Sequence, residues 1–119
     1  MGVSEWMSGR TAQQISRILN NQGMRAFVLQ TGKRGLESHV VQVEYSSDGG
    51  AVKLEFYVKE TYFSFQWRFN RWITHPSGLI EQIDDDRILP QTVGNRTAEL
   101  ANAKPETVVQ DMRAIGLLP

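Results

Sequence analysis

The sequence predicts an α+β fold: a four- to five-stranded antiparallel meander sheet with an N-terminal and a C-terminal helix packed on its apolar face. Three observations carry that prediction. Between Ala51 and Asn70, apolar and polar residues alternate through two successive runs. Upstream of them, two shorter runs of strand character are separated by glycine-containing polar turns. Toward each end of the chain the apolar residues recur at helical rather than strand spacing. Residues 1–119 are read as a single α+β domain, a size that can bury a core without disulfides or metal.

Met1 to Arg10 is expected to be irregular, with Trp6 and Met7 tucked against the body. Thr11 and Gln14 have the spacing of a capping box. Ile15, Ile18 and Leu19 then form one helical stripe, and Gly23 suits a helix stop, so the first helix is placed at Thr11 to Gln22. Arg25 to Thr31 reads as a first strand with Phe27 and Leu29 on one phase. Gly32-Lys33-Arg34-Gly35 reads as a polar loop, and Ser38 to Tyr45 as a second strand with Val41, Val43 and Tyr45 inward. Ser46-Ser47-Asp48-Gly49-Gly50 is a strong turn, because Asp and Gly tolerate left-handed backbone.

Val52, Leu54, Phe56 and Val58, then Phe63, Phe65, Trp67 and Phe69, give the next two strands one apolar face. The expected register pairs Val58 with Phe63, Phe56 with Phe65, Leu54 with Trp67 and Val52 with Phe69. The connection falls at Glu60-Thr61 or across Lys59 to Tyr62. Alternation breaks at Asn70-Arg71, which suggests a bulge before Trp72 and Ile73. Pro76-Ser77-Gly78 is a turn, and Leu79 to Ile83 a short fifth strand. Asp84-Asp85-Asp86 opens a polar connection through Pro90 and Gly94, followed by a short helix at Arg96 to Asn102. Pro105 suits the first position of a final helix whose buried stripe is Val108, Val109, Met112 and Ile115. Gly116 ends it, and Leu117 and Leu118 fold back.

Composition narrows the function. Thirteen basic and thirteen acidic residues cancel, which disfavours a generic polyanion binder. The absence of cysteine excludes disulfide frameworks, thiolate metal sites and thiol catalysis. No apolar run approaches the roughly 18 residues of a membrane span. The N-terminus has neither the basic nor the apolar region of a signal peptide. A soluble, cytoplasmic protein is therefore expected.

Chemistry-bearing residues are isolated. His39 and His75 stand apart from each other and from any fixed carboxylate, so ordinary strand-end histidines are favoured over ligands or bases. Asp84-Asp85-Asp86, with Glu81 nearby, lacks the alternating ligands and internal glycine of a calcium loop. Gly32-Lys33-Arg34-Gly35 is not a P-loop, and its superficial match to a GXXG clamp falls between strands rather than helices. Ser77 has no nucleophile elbow around it. No catalytic residue, cofactor or metal site is assigned.

The outward phase of the central hairpin remains. Lys53, Tyr57, Tyr62 and Arg68, with Lys59, interleave basic and aromatic groups on residues that the core phase does not use. Tyr and Arg are enriched at protein interfaces. The expected function is a non-enzymatic protein-interaction module: a small inhibitor, immunity-type or assembly protein of the phage or mobile-element kind that binds a larger partner. The acidic Asp84, Asp85 and Asp86 form a secondary patch for that partner. The alternative is single-stranded nucleic-acid binding through the same face, and the third reading an enzyme with a scattered site. Self-association into a homo-oligomer is compatible with all three.

Overall fold

The computed structural model describes residues 3–60, 65–89 and 104–119. Five antiparallel strands form one meander sheet in chain order: β1 (Arg25–Gln30), β2 (His39–Ser47), β3 (Gly50–Glu60), β4 (Phe65–Thr74) and β5 (Ile80–Ile88). Helix α1 (Val3–Asn21) and helix α2 (Pro105–Ala114) complete an α+β fold, and a 3₁₀ turn at Gly35–Ser38 leads into β2. The core joins Ile15 and Leu19 of α1 and Val108, Val109 and Met112 of α2 to Val41, Val43, Leu54, Phe56, Val58, Trp67 and Phe69 of the sheet. The helices thus cover one face, as the alternation demands, and the opposite phase is left for other use. No helix among the described residues is long and apolar enough to cross a membrane.

The central hairpin keeps its faces but not its expected register. Phe56 lies opposite Phe69, Val58 opposite Trp67 and Leu54 opposite Arg71. Pairing continues to Glu60 and Phe65, so Thr61 to Ser64 separate the strands and lie outside the described residues. The difference is an even number of residues. An odd slip would bury the wrong face, whereas an even slip costs alternation nothing. Only turn chemistry could have chosen between even registers, and Glu60-Thr61 carries none of the usual turn signals.

Other departures have equally local causes. α1 extends back to Val3, which places Thr11 in mid-helix and leaves no capping box. The one glycine in that extension, Gly9, serves packing: a Cβ there would sit 3.0 Å from the His39 ring. In β1 the core phase is Ala26 and Val28, while Leu29 is 40 % exposed. Four apolar residues in a row carry no alternation. Pairing of Ala26 with Val43 and of Val28 with Val41 decides the phase instead. β5 runs through Asp84, Asp85 and Asp86, which were expected in a connection. In the turn before β3, the positive φ falls on Gly50 (136°) rather than on Asp48.

At the C-terminal end, Pro105 opens α2, as its missing N–H favours. Gly116 takes φ 82°, and the N–H of Leu117 returns to the Met112 carbonyl at 2.9 Å. This Schellman closure turns Leu117 and Leu118 into the core and leaves Ile115 outside it. The helix expected at Arg96 to Asn102 lies outside the described residues.

Phe56 is 1 % exposed, with its ring centroid 6.1 Å from that of Trp67. Phe56→Ala should lower the unfolding free energy by about 3–5 kcal/mol, and Phe27→Ala, on the other face, by clearly less. Urea denaturation of the two variants beside the parent checks the assignment of faces.

Candidate interaction face

The face opposite the helices is ordered by the strand registers. Leu29 pairs with Val40, Tyr57 with Arg68, and Arg68 with Ile88. Val40 is next in line to the Val41–Phe56 pair, so these five residues form one row across all five strands. A second row runs Arg25, Glu44, Lys53, Trp72 and Gln82. Within it Arg25 lies 3.7 Å from Glu44, and Lys53 Nζ lies 4.7 Å from the centre of the Trp72 ring. Directly opposite residues on a sheet share a face, which is why residues far apart in sequence line up here.

β5 departs from regular pairing twice. Phe69 faces Arg87 and Arg71 faces Asp84, so Asn70 alone spans Asp85 and Asp86. Trp72 then faces Gln82, which makes Ile83 a second extra residue. The bulge expected on β4 at Asn70-Arg71 is not there: β4 pairs regularly with β3 through both residues, and the inserted residues sit on the facing β5. Asp86 has φ 47°, the one positive value among described non-glycine residues. Its backbone N–H donates to Asn70 Oδ1 at 2.6 Å, which holds the unusual conformation in place.

The bulge separates the three aspartates. In a regular strand Asp84 and Asp86 would share a face; one extra residue sends them to opposite faces. Asp84 turns to the helix side, where it is 4 % exposed. It accepts from Arg71 Nε at 2.7 Å and from Arg87 Nη1 at 2.9 Å. Asp86 turns to the open side and gathers three of the face's side chains. The Tyr57 hydroxyl donates to Oδ1, Lys59 Nζ to Oδ2 at 2.7 Å, and Arg68 Nε and Nη2 to the two oxygens at 3.2 and 3.0 Å. Arg68 Nη1 also donates to Gln66 Oε1 at 2.9 Å. Asp85 alone remains exposed.

The network shifts both ionisations. Burial pushes the Asp86 carboxyl upward, but hydrogen bonds from Lys59, Tyr57 and Arg68 outweigh it and hold the group at about 2. Burial raises the Tyr57 phenol, and the adjacent Asp86 carboxylate raises it further. The phenol therefore stays protonated at neutral pH and serves as a donor, not as a base or nucleophile.

Two residues expected to bind, Tyr57 and Arg68, are brought together with Lys59, and the acidic patch supplies the carboxylate that joins them. Lys53 stands beside Trp72 two rows away, with the row of Phe27, Gln42, Glu55 and Asn70 between. Tyr62 lies outside the described residues. Folding itself uses Tyr57 and Arg68, contrary to the sequence expectation. Asn70, Gln66, Trp72, Leu29, Val40 and Ile88 belong to the same face and were not singled out. The outward phase of β4 contained the signal for Gln66, Asn70 and Trp72. Nothing in the sequence places Ile88 beside Arg68, because that contact follows from two bulges.

Elsewhere the chemistry is sparse. Ser38 Oγ lies 2.6 Å from His39 Nδ1, but the hydroxyl is buried and no described carboxylate orients the ring. His75 Nε2 lies 3.4 Å from Glu81 Oε2. Ser8, Thr11, His39 and Trp67 line a cavity of about 20 Å³, room for one water and not for a substrate. Among the described residues no three metal-ligating side chains converge. No family model, curated protein or solved structure matches this chain.

Asp86 titrates below its ordinary value in the folded protein. Its stabilisation is therefore present in full above about pH 4 and is lost as the pH falls toward 2. Wild-type stability should drop over that window more than that of Asp86→Asn. The difference should be on the order of 1–2 kcal/mol, allowing for screening of a partly exposed group. Thermal melts of both proteins at intervals from pH 6 to about pH 2 check it. Tyr57→Phe removes one donor to a charged acceptor and should cost about 1.5–3 kcal/mol in urea unfolding at neutral pH.

Proposed function

We propose that the protein is a non-enzymatic interaction module that binds a larger protein partner through the open sheet face, in the manner of a small inhibitor, immunity-type or assembly protein. The observation that carries this reading is the row Leu29, Val40, Tyr57, Arg68 and Ile88. It is apolar at both ends, aromatic and cationic in the middle, and locked by a carboxylate from a bulged strand. Bulges re-aim side chains, and strained non-glycine backbone persists where the surroundings enforce it. A tyrosine and an arginine held in fixed positions are the side chains that most often anchor protein interfaces.

The charge arrangement favours a protein over a nucleic acid. Lys59 and Arg68 both contact Asp86, Arg71 and Arg87 both contact Asp84, and Arg25 and Lys33 lie near Glu44 and Glu37. Cations already matched by carboxylates release few counterions from a polyanion. The raised Tyr57 phenol gives no support to catalysis at that face. The lack of cysteine suits a reducing, cytoplasmic setting.

Immobilised protein should retain a partner from host extract, and nuclease treatment should not release it. Trp72→Ala and Ile88→Ala should melt near the parent temperature yet weaken that partner's binding, by roughly thirtyfold where a residue is a hot spot. Calorimetry or surface plasmon resonance with the purified partner measures the loss. A signal abolished by nuclease would replace this reading with nucleic-acid binding through the same face. Parent-like affinity in both variants would move the interface elsewhere.

A further inference from the structure

The two edges of the sheet are built differently. β5 is defended: it carries two bulges, three aspartates and Arg87. Such features keep a strand edge from pairing with another chain. β1 carries no bulge, no proline and no charge after Arg25; its remaining residues are Ala26, Phe27, Val28, Leu29 and Gln30.

Which backbone groups that edge offers follows from the ladder. The Thr31 N–H donates to the Ser38 carbonyl at 3.0 Å, extending the pairing beyond Gln30–His39. Hydrogen-bonded pairs alternate in an antiparallel ladder. Leu29, Phe27 and Arg25 therefore bond to β2, while Gln30, Val28 and Ala26 aim their N–H and C=O groups away from the sheet. Ala26 is already served. Asn20 Oδ1 accepts from its N–H, and Asn20 Nδ2 donates to its carbonyl, both at 2.9 Å. Among the described residues Val28 and Gln30 remain, with two donors and two acceptors facing outward.

We propose that this edge pairs with the β1 edge of a second copy of the chain, antiparallel about a two-fold axis at Leu29. Val28 then exchanges two hydrogen bonds with the partner's Gln30, and Gln30 exchanges two with the partner's Val28. All the free edge groups are satisfied without disturbing Asn20. Leu29 meets the partner's Leu29 on the open face. No charged residue lies within the paired segment Val28 to Gln30; Arg25 and the partner's Lys33 fall in line only past Gly32, where the chain has already left the strand. Ala26, already occupied, falls opposite the partner's Gly32, where φ is 79° and the chain has left the strand. β5 offers no equivalent, since antiparallel self-pairing about Ile83 would bring acidic Glu81 against the partner's acidic Asp85. The product is one ten-stranded sheet with both open faces on the same side. The interface is small, so the dimer is weak and depends on concentration.

Sedimentation equilibrium tests this on the whole chain, from about 1 μM to about 1 mM, the span a small interface occupies. The average mass should climb from 13.5 kDa toward twice that value. Gln30→Pro removes an N–H that folding does not use, at an exposed position on an edge strand where proline is tolerated. It should stay monomeric with the parent's melting temperature. Leu29→Lys, which sets two ammonium groups across the axis, should also stay monomeric, and it decides the matter should Gln30→Pro unfold. Ile88→Lys on the far edge should dimerise like the parent. A parent that remains monomeric throughout overturns the proposal, as does a Leu29→Lys variant that associates like the parent. Partner capture through Trp72 and Ile88 is read in a different assay, so either idea can fail alone.

Discussion

The carboxylate of Asp86 ties three strands together. Tyr57 and Lys59 reach it from β3, and Arg68 reaches it from β4, while Asp86 itself belongs to β5. Each contact crosses a strand boundary on the face that the core does not touch. On the helix side, Asp84 plays the matching part for Arg71 and Arg87. Isolated surface ion pairs contribute little. These pairs differ because the side chains of Arg68 and Asp84 are only 18 % and 3 % exposed. Removing one partner of a buried pair leaves a desolvated charge behind, which is costlier than the pair was favourable. The two aspartates therefore act as constraints on how β5 can be seated, more than as independent stabilisers.

That constraint explains why β5 tolerates its irregular path. A positive φ at a non-glycine residue is unfavourable by itself and persists only when the surroundings over-determine it. Here the Asn70 side chain takes the Asp86 N–H, and three donors take its carboxylate. The strain at one residue is offset by hydrogen bonds at its side chain and backbone together. The same bulges protect the β5 edge, so one local device orders the open face and keeps that edge from pairing with other chains.

How much of this was legible in the sequence divides along physical lines. Period-two alternation in Val52 to Val58 and Trp67 to Phe69 decided which face was core, and the helical stripes at Ile15 to Leu19 and Val108 to Met112 placed the covering layer. Those signals depend on side-chain chemistry within one segment. Register, bulges and the partners of each aspartate depend on relations between segments. An even slip between β3 and β4 leaves every face unchanged, so alternation is silent about it. Three consecutive aspartates resemble a solvated loop until one inserted residue sends two of them to opposite faces. Ala26 to Leu29, apolar at every position, held no phase information at all. Tyr57 and Arg68 were recognisable as unusual for an outward face, but their common partner was eighteen or more residues away.

The same network shapes what the open face can offer a partner. Arg68 has Nε, Nη1 and Nη2 each engaged, by Asp86 and Gln66, so its donors are largely spent within the chain. Its side chain is only 18 % exposed and belongs to the strand position opposite Tyr57, so it offers a partner a weakly hydrated group with few free donors. Such a surface favours stacking and apolar contact over new ion pairs. Leu29, Val40 and Ile88 in the same row reinforce that bias. Ordering side chains at an interface costs about 0.5–1.5 kcal/mol for each flexible group. For Tyr57, Lys59 and Arg68 that cost is already met on folding, by a carboxylate the partner never has to supply. A complementary surface would therefore be aromatic or aliphatic and shallow rather than acidic, and it would bind a face that hardly rearranges.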